Sequence, residues 1–590
     1  MIKKLQTIPE LLNRLWGHIS PKRRKQFLLL LILMVLTSFA EIVSIGTALP
    51  FLTALTAPER LFQNPRLENI FQIVNITDPQ QLRLPLALGF GIAALLAGGM
   101  RLILLWVNTR LSYATGSDLS IDIYRRTLYQ PYAVHCSRNS SEIIAGISTK
   151  ANSAITIANS ILNLITSSVI LTSILFLLLL INPIVALSAL CGLGLIYFGV
   201  IFFTRKNQLS FSYRISREST QVIKSLQEGL GGIRDVLING SQSTYCQIYR
   251  EADSRLRNAQ SSNVFIMLSP RYAVEALGMV VIAVLAYVTT QGADGIEEAI
   301  PTLGVLALGA QRLLPLLQQA YSSWSGIRAD QASLKDTLDY LDQPLPDYLN
   351  KAPAKPIQFK KKIEFDQLSF RYGSDLPWIL NNLDLTIEKG ARIGFIGETG
   401  CGKSTLIDLL MGLLEPTTGL IRVDGNPIAK GNMRSWQAHI AHVPQAIFLA
   451  DASVAENIAF GVPFDQIDMK KVKSAAQRAQ IALAIEGMSE NYNTVVGERG
   501  VRLSGGQRQR IGIARALYKE ADIIIFDEAT SALDEETELA VMQAIESLSQ
   551  DLTILIVAHR ITTLRECSKI IELGDGGIKS ILKYCDIRSN

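Results

Sequence analysis

The sequence lacks the features of a disulfide-stapled, metal-binding or nucleic-acid-binding protein. Its 590 residues contain only six cysteines, at positions 136, 191, 246, 401, 567 and 585, and their spacings match no metal or disulfide pattern. We therefore expect reduced thiols that face the cytosol. The formal net charge of +5 is modest for this length and does not indicate a nucleic-acid partner.

Apolar residues are abundant and unevenly distributed. They make up 48% of the chain and are concentrated in residues 27–320, in runs such as FLLLLILMVLTSF. Residues 356–590 instead alternate short apolar strands with polar helices, as a soluble α/β domain does. The composition therefore predicts a membrane half followed by a cytosolic half.

Six segments are apolar over the length of about 20 residues that a membrane span needs. They are residues 27–55, 84–110, 156–181, 184–204, 263–289 and 296–321. The polar segments 111–155 and 205–262 have helical composition, so we expect the spans to continue into the cytosol and turn at short helices near Ile123–Tyr132 and Gln221–Gly231. Residues 58–75 are expected to form an outer-loop helix that caps the bundle or lies in the membrane surface.

The placement of basic residues predicts the orientation. The basic segment 21–25 precedes the first span and basic loops recur at 110–150 and 205–257, whereas residues 291–300 contain no lysine or arginine. By the positive-inside rule the N-terminus and the long loops are cytoplasmic. The first apolar run is too long for a signal peptide and shows no small-residue cleavage site.

A phosphate-binding loop is predicted at GETGCGKST, residues 397–405. It follows the strand ARIGFI and precedes the helix TLIDLLMGLL, which is the context that this motif requires. Lys403 is expected to reach the β- and γ-phosphates and Ser404 to ligate Mg²⁺, while backbone N–H groups close around the phosphate oxygens. The residues predicted to line the loop are Gly397, Glu398, Thr399, Gly400, Cys401, Gly402, Lys403, Ser404 and Thr405.

The segment ADIIIFDEATSALD, residues 521–534, supplies the acidic groups of such a site. Its apolar residues predict a buried parallel strand that ends in Asp527, which is expected to hold Mg²⁺ directly or through water. Glu528 follows and is placed to polarise the attacking water. Together with residues 397–405, this segment predicts ATP hydrolysis.

The segment LSGGQRQRIGIARAL, residues 503–517, predicts a second phosphate-binding helix N-terminus. Ser504, Gly505, Gly506 and Gln507 stand directly at the start of its helix. One nucleotide cannot use both glycine loops of one chain if each already ends its own helix elsewhere. Two chains arranged head to tail would let each of these segments close on the phosphate loop of the other chain, so we expect a homodimer.

On these motifs the chain resembles the ABC transporter family over nearly all of its length. By that resemblance Tyr372 in FRYG would stack on adenine, Gln445 in VPQ would touch Mg²⁺ and His559 in VAHR would bind the γ-phosphate. Residues 497–500 would contact the short helices of the partner chain, and residues 531–534 would form a dimer contact.

One soluble domain and six spans resemble an exporter-type half-transporter. The resemblance implies an all-α membrane domain of six long transmembrane helices and an α/β P-loop ATPase domain. The predicted parts are a cytoplasmic segment at 1–26, the transmembrane domain at 27–325, a linker at 326–360 and the ATP-binding domain at 361–590. ATP and Mg²⁺ are the implied cofactors, with Glu528, His559 and Lys403 as catalytic residues and Ser404, Gln445 and Asp527 at the metal.

Ionisable residues inside the predicted spans bear on the cargo; they are Glu41, Arg101, Arg271, Glu275 and Arg312. Each costs at least ~2.5–3.5 kcal/mol in a membrane, so it usually faces a partner or a watery cavity. Arg271 and Glu275 are four residues apart on one helix face, and one interpretation is that they only neutralise each other. The other is that three arginines against two glutamates form a cationic cavity, which suits an anionic cargo because guanidinium groups bind phosphate.

Three segments are similar to the bacterial flippase of lipid-linked oligosaccharides and to cyanobacterial-type glycolipid exporters. They are residues 39–52, 269–278 and 311–315. The resemblance implies ATP-driven export or flipping of a glycosylated, anionic lipid across a bacterial inner membrane by alternating access in a homodimer. A multidrug or lipid A-type exporter is the alternative within transport. Six spans oppose a soluble ABC ATPase, and the intact catalytic residues oppose a regulatory channel subunit.

Overall fold

The structure is a computed structural model of the whole chain. It describes residues 6–56, 59, 78–181, 183–290, 295–346, 349, 357–528, 538, 540, 543, 551–558 and 560–587. Several side chains between 178 and 312, including that of Arg312, lie outside the described part. The outer-loop segment predicted at 58–75 falls there almost entirely, as do His559 and residues 531–534.

The chain divides into two compact units. The first comprises Met1–Gln130 and His135–Leu345, and the second comprises Pro131–Val134 and Pro346–Asn590. The described helices up to residue 341 are α1 Ile8–His18, α2 Pro21–Thr56, α3 Arg83–Leu128, α4 Tyr132–Ser137, α5 Ser140–Ala145, α6 Ala151–Ile181, α7 Pro183–Gly231, α8 Ile233–Ile238, α9 Gln242–Thr290, α10 Gly295–Ala329 and α11 Gln331–Leu341.

Six of these described helices are long: α2, α3, α6, α7, α9 and α10. Helices α7 and α9 contain 49 residues each, which corresponds to about 74 Å at 1.5 Å per residue. The hydrocarbon core of a bilayer is only about 30 Å thick. The prediction that the spans continue as helices far beyond the membrane is therefore confirmed.

Among the described side chains, three helices are long and apolar enough to cross a membrane. They cover Pro21–Leu55, Pro79–Leu128 and Ser140–Leu177, and they coincide with the first three predicted spans. The other three predicted spans lie on α7, α9 and α10, where many side chains are outside the described part.

The turning points in the long loops differ from the predicted ones. Residues 123–132 and 221–231 were predicted as short helices, but α3 continues to Leu128 and α7 to Gly231. The short helices are α4 and α8, which begin a few residues later. The breaks fall at Pro131, which disfavours a helical residue before it, and at Gly232, where the backbone is least constrained.

The segment 326–360, predicted as a linker, is helical in its first part. Helix α10 continues to Ala329 and is followed by α11. Leu334 and Leu338 of α11 are fully buried and pack in one cluster with Leu11 and Leu15 of α1. The apolar spacing within residues 331–341 decides this helix, and it makes the segment part of the first unit.

The second unit contains two sheets. Its strands are β1 Lys362–Phe370, β2 Leu380–Glu388, β3 Arg392–Gly397, β4 Thr418–Val423, β5 Asn426–Pro427, β6 Ile440–Val443, β7 Ile523–Asp527, β8 Thr553–Val557, β9 Lys569–Gly574 and β10 Gly577–Leu582. A six-stranded sheet has the order β10-β9-β3-β8-β7-β6, and only β10 runs antiparallel to its neighbour. The other sheet, in the order β2-β1-β4-β5, is antiparallel.

Helices cover the six-stranded sheet and hold the loop after β3. They are α12 Lys403–Leu410, α13 Met433–Gln437, α14 Val454–Ile458, α15 Met469–Arg478, α16 Ala482–Glu486, α17 Gly505–Tyr518 and, near the C-terminus, α18 Tyr584–Ile587. The fully buried Trp436 donates its indole N–H to the carbonyl oxygen of Leu410 at 2.6 Å. This bond ties the C-terminal end of α12 to the core that contains Phe395 and Leu555.

Packing of α3 against α6 depends on Gly116. A methyl group there would lie 1.9 Å from Cγ1 of Ile155, so we expect Gly116→Ala to lower the melting temperature of the detergent-solubilised chain. Overpacking of this kind costs about 1–3 kcal/mol. The matched control is Gly99→Ala in the same helix, where nothing lies within 4 Å of the added methyl group. Equal melting temperatures for the two variants would contradict this packing argument.

Candidate functional site

The candidate site lies where three neighbouring strands end. In the parallel register, Phe395 of β3 aligns with Val557 of β8, and Val557 aligns with Asp527 of β7. The carboxyl ends of parallel strands meet at one edge of a sheet, which is where such folds bind ligands. The loop that begins at Gly397 and the acidic pair Asp527–Glu528 therefore occupy the same edge.

The loop after β3 has a backbone that requires glycine. Gly397, Gly400 and Gly402 have φ angles of +147°, +87° and +100°. A Cβ atom on Gly397 would also lie 2.4 Å from the carbonyl oxygen of Leu573 and 2.8 Å from Sγ of Cys401. The chain thus curls tightly onto β9, in the kind of turn whose backbone N–H groups can surround a phosphate.

Lys403 at the start of α12 lies across this loop. Its side chain is almost fully buried, and its ammonium group donates to the carbonyl oxygens of Gly397 at 2.6 Å and Glu398 at 3.0 Å. The buried charge is therefore partnered and held at the loop, where it can bind phosphate oxygens. Ser404, the next residue, is exposed.

Glu528 is held at the end of β7 by two contacts. Its carboxylate accepts a hydrogen bond of 2.6 Å from Nε2 of Gln445, and its backbone N–H donates to the carbonyl oxygen of Val557 at 3.0 Å. Its φ angle is +50°, a left-handed conformation that costs a non-glycine residue about 1–3 kcal/mol and is concentrated at functional sites. The structure thus brings together two residues that the sequence analysis linked only through a family resemblance.

Asp408 is a site residue that the sequence analysis missed. Burial raises the pKa of Asp408 to about 6, and the nearby Asp527 carboxylate raises it further. The available signal was spacing, since Asp408 is four residues after Ser404 on α12 and so shares its helix face. Two carboxylates and a hydroxyl form the oxygen-rich set that Mg²⁺ prefers, so these residues fit the implied metal.

Tyr372 lies beside the loop, at the end of the antiparallel sheet. Its hydroxyl is 3.3 Å from Oγ1 of Thr405, and its ring meets Phe370 edge-on at a centroid distance of 5.0 Å. The residue is 56% exposed. An exposed ring held in place by these contacts can stack on a flat base.

The N-terminus of α17 is closed by a reciprocal pair of hydrogen bonds. The hydroxyl of Ser504 accepts from the backbone N–H of Gln507 at 3.2 Å, and the side-chain oxygen of Gln507 accepts from the backbone N–H of Ser504 at 2.9 Å. This capping box positions Gly505 and Gly506 as the first two helical residues. Their backbone N–H groups have no partner within the helix, which is the arrangement that binds anions at helix N-termini.

A second candidate region is a cavity of about 400 Å³ among the membrane helices. Its polar lining includes Arg101, Asn108, Asn163, Gln311 and Gln319, and its apolar lining includes leucines of α3 and α10. Nδ2 of Asn108 donates to Oδ1 of Asn163 at 2.8 Å. The sequence analysis missed these amides because it looked only for charges; polar amides inside apolar spans were the available signal.

The charged residues predicted for a substrate cavity form two pairs. Arg101 pairs with Glu41, whose side chain is fully buried, and Nε of Arg271 lies 2.7 Å from Oε1 of Glu275. Only Arg101 of these four lines the 400 Å³ cavity. The predicted positive surplus therefore depends on Arg312, whose side chain lies outside the described part.

Two family models match the chain. Residues 26–306 match the ABC transporter transmembrane region, and residues 380–531 match the ABC transporter model. The chain belongs to the ABC transporter family. It is an integral membrane protein with the architecture of an exporter half-transporter, so the predictions of family and fold class are confirmed.

Similarity to individual proteins agrees with this assignment. A solved bacterial Atm1-family ABC exporter with ATP bound shares the fold, with a TM-score of 0.78 over 96% of both chains and 24% identity. The heterocyst differentiation ATP-binding protein HepA of Nostoc sp. is 28% identical over 585 residues, 96% of this chain and 93% of that protein. An ATP-dependent lipid A-core flippase of Alkalilimnicola ehrlichii is 32% identical over 391 residues, 66% of this chain and 65% of the flippase, so slightly less than two thirds of that relative is spanned.

The first prediction for the site concerns Glu528. We expect Glu528→Gln to lower ATP turnover by a factor on the order of 10²–10⁴, because the amide cannot accept a proton from water. ATP affinity should persist, since Lys403 and the loop are unchanged. Phosphate release and retention of labelled ATP measure the two effects. Glu520→Gln is the matched control, because this exposed carboxylate pairs only with Lys471 among the described residues, and unchanged turnover in Glu528→Gln would contradict the assignment.

The second concerns Cys401, whose sulfur lies 3.9 Å from Nζ of Lys403. A maleimide on this thiol should block phosphate entry and abolish ATP turnover, and bound ATP should protect the thiol. Cys401→Ala should remain active and become insensitive. The exposed thiols of Cys136, Cys246 and Cys585 remain in that variant and serve as an internal control. Inhibition of Cys401→Ala to the same extent as wild type would refute the prediction.

Proposed function

We propose that the chain forms one half of a homodimeric, ATP-driven exporter that moves a lipid with a glycosylated, anionic head group across the membrane. The observation that carries the proposal is the mixed lining of the 400 Å³ cavity, where Arg101 and amide side chains face the same space as Leu104, Leu105 and Leu316. The flippase relatives, named for lipid A-core, support a lipid cargo.

The nucleotide site supplies the driving reaction. Lys403 and the glycine loop bind the phosphates, Ser404 and Asp527 would hold Mg²⁺ with Gln445 beside them, and Tyr372 stacks on the base. Mg²⁺ neutralises phosphate charge when it is bound. Glu528 accepts the proton of the attacking water while Gln445 fixes its carboxylate at 2.6 Å. By family resemblance, His559 contacts the γ-phosphate.

Two copies of the chain are required to complete the site. The glycine loop precedes α12, whereas Ser504, Gly505 and Gly506 precede α17. Each phosphate-binding terminus belongs to a different helix, so a second chain can supply the second terminus to each nucleotide. The proposed dimer then has two equivalent sites, with the N-terminus and the ATPase domain in the cytoplasm of a bacterial cell.

The cargo follows from the chemistry of the cavity. Amides such as Asn108, Asn163 and Gln319 both donate and accept hydrogen bonds, which suits the hydroxyl groups of a sugar. The Arg101 side chain remains 35% exposed even though it pairs with Glu41, so part of its guanidinium surface is accessible to a phosphate. The neighbouring leucines suit an acyl chain.

A multidrug exporter is the second candidate, and the neutral pairs Arg101–Glu41 and Arg271–Glu275 favour it. ATP turnover in proteoliposomes separates the two. We expect stimulation by polyprenyl-phosphate glycans or anionic glycolipids, and little response to uncharged hydrophobic drugs. The reverse order of stimulation would overturn the lipid proposal and support the drug exporter.

The Arg271–Glu275 pair gives a sharper prediction. Both side chains are largely exposed, at 59% and 42%, so Arg271→Ala leaves a carboxylate that is still accessible to solvent and should not unfold the chain. If Arg271 attracts the head group, this variant keeps its melting temperature and basal ATP turnover but loses stimulation by an anionic glycolipid. The double variant Arg271→Ala/Glu275→Ala should stay unstimulated. Restored stimulation in the double variant would mean that the pair is only structural.

A further inference from the structure

A groove with a volume of about 500 Å³ lies between α2 and α3, and the proposed transport mechanism does not use it. Its lining includes Arg23, Gln26, Leu29, Leu33, Trp106 and Arg110. It shares no lining residue with the cavity that contains Arg101. The two helices run antiparallel here, since Arg23 binds Asp118 at 2.8 Å while the buried Leu30 and Leu111 pack deeper in the bundle.

The groove is polar at one end and apolar at the other. Arg23 and Leu33 are ten positions apart on α2, which corresponds to about 15 Å along the helix axis. The polar end adjoins the basic start of α2, where Lys22 and Lys25 are exposed. Leu29 and Trp106 are 65% and 64% exposed, so the apolar wall faces outward from this chain.

Arg110 supplies the cation of the groove. Its guanidinium group lies 5.7 Å from the ring centroid of Trp106, and within the described part of the chain it forms no ion pair. Arg23 differs, because both of its outer contacts with Asp118, at 2.8 and 3.4 Å, and a contact with Gln26 at 3.0 Å occupy it. A guanidinium group stacked on an aromatic ring keeps its N–H fork available for phosphate.

We propose that this groove binds an anionic phospholipid of the membrane leaflet that adjoins the basic end of α2. The lipid phosphate lies against Arg110, with Gln26 as a hydrogen-bonding neighbour. An acyl chain follows Leu29 and Leu33 toward the membrane centre. Trp106 stands at the junction, as tryptophan does at membrane–water interfaces.

The shape and charge of the groove favour a lipid over a free anion. Inorganic phosphate would use only the end near Arg110 and would leave the wall of Leu29, Leu33 and Trp106 uncovered. A zwitterionic lipid would cover that wall but would bring its own cation to a groove that already contains two arginines. Basic grooves between transmembrane helices bind anionic head groups for these reasons.

The test uses the full chain in detergent, titrated with mixed micelles of phosphatidylglycerol or of phosphatidylcholine while thermal unfolding is followed. Phosphatidylglycerol should raise the melting temperature of the wild type, and phosphatidylcholine should raise it much less. Arg110→Gln should weaken the apparent affinity for phosphatidylglycerol on the order of fivefold, the effect of one basic residue near a head group. Lys25→Gln removes the same charge from an exposed position of α2 outside the groove lining and should match wild type.

Three results would overturn the proposal. Equal shifts with phosphatidylcholine would show that the head-group charge is not recognised. An equal shift with inorganic phosphate in lipid-free detergent would identify a free-anion site. An equal loss of affinity in Lys25→Gln would show general surface attraction. If Arg110→Gln fails to fold, Gln26→Glu tests the same groove with an isosteric carboxylate, and unchanged affinity in that folded variant would also overturn it.

Discussion

The parallel register of β3, β8 and β7 is the constraint on which the nucleotide site depends. Because all three strands point the same way, the turn after each of them opens at one edge of the sheet. That edge receives the glycine loop from one strand and the Asp527–Glu528 pair from another, although more than a hundred residues separate them in the chain. The buried Trp436 holds α12 against the same core, so the loop has little freedom to move away from the acidic pair.

A different constraint shapes the membrane half, where a charged group must be paired or solvated. Glu41 is fully buried and pairs with Arg101, while Arg271 and Glu275 pair within one helix and remain exposed. The first pair joins two helices and so contributes to their packing. The second leaves each side chain within reach of another ligand, which gives the two arginines different expected roles in spite of their similar sequence contexts.

The proposed lipid site extends the same logic to the outside of the bundle. Arg110 is not neutralised by a described carboxylate, and it is positioned by Trp106 at the end of an apolar groove. A bilayer can supply the missing anion at that depth. The ATP site, the mixed cavity and the groove thus satisfy charge in three ways: by bound phosphate, by side-chain pairing and by the surrounding lipid.

The sequence by itself determined the family, the fold class and the nucleotide motifs, because glycine loops and strand-end carboxylates depend on local spacing that is visible in the chain. It also predicted the long cytoplasmic helices from their polar, helical composition. It misplaced the short helices now seen at α4 and α8, and it treated the buried helix α11 as linker, because both outcomes depend on which faces find a partner. Only the tertiary structure decided that Arg101 meets Glu41, that Asp408 approaches Asp527 and that Arg110 borders an apolar groove, since these contacts join residues whose distance along the chain gives no sign of their proximity in space.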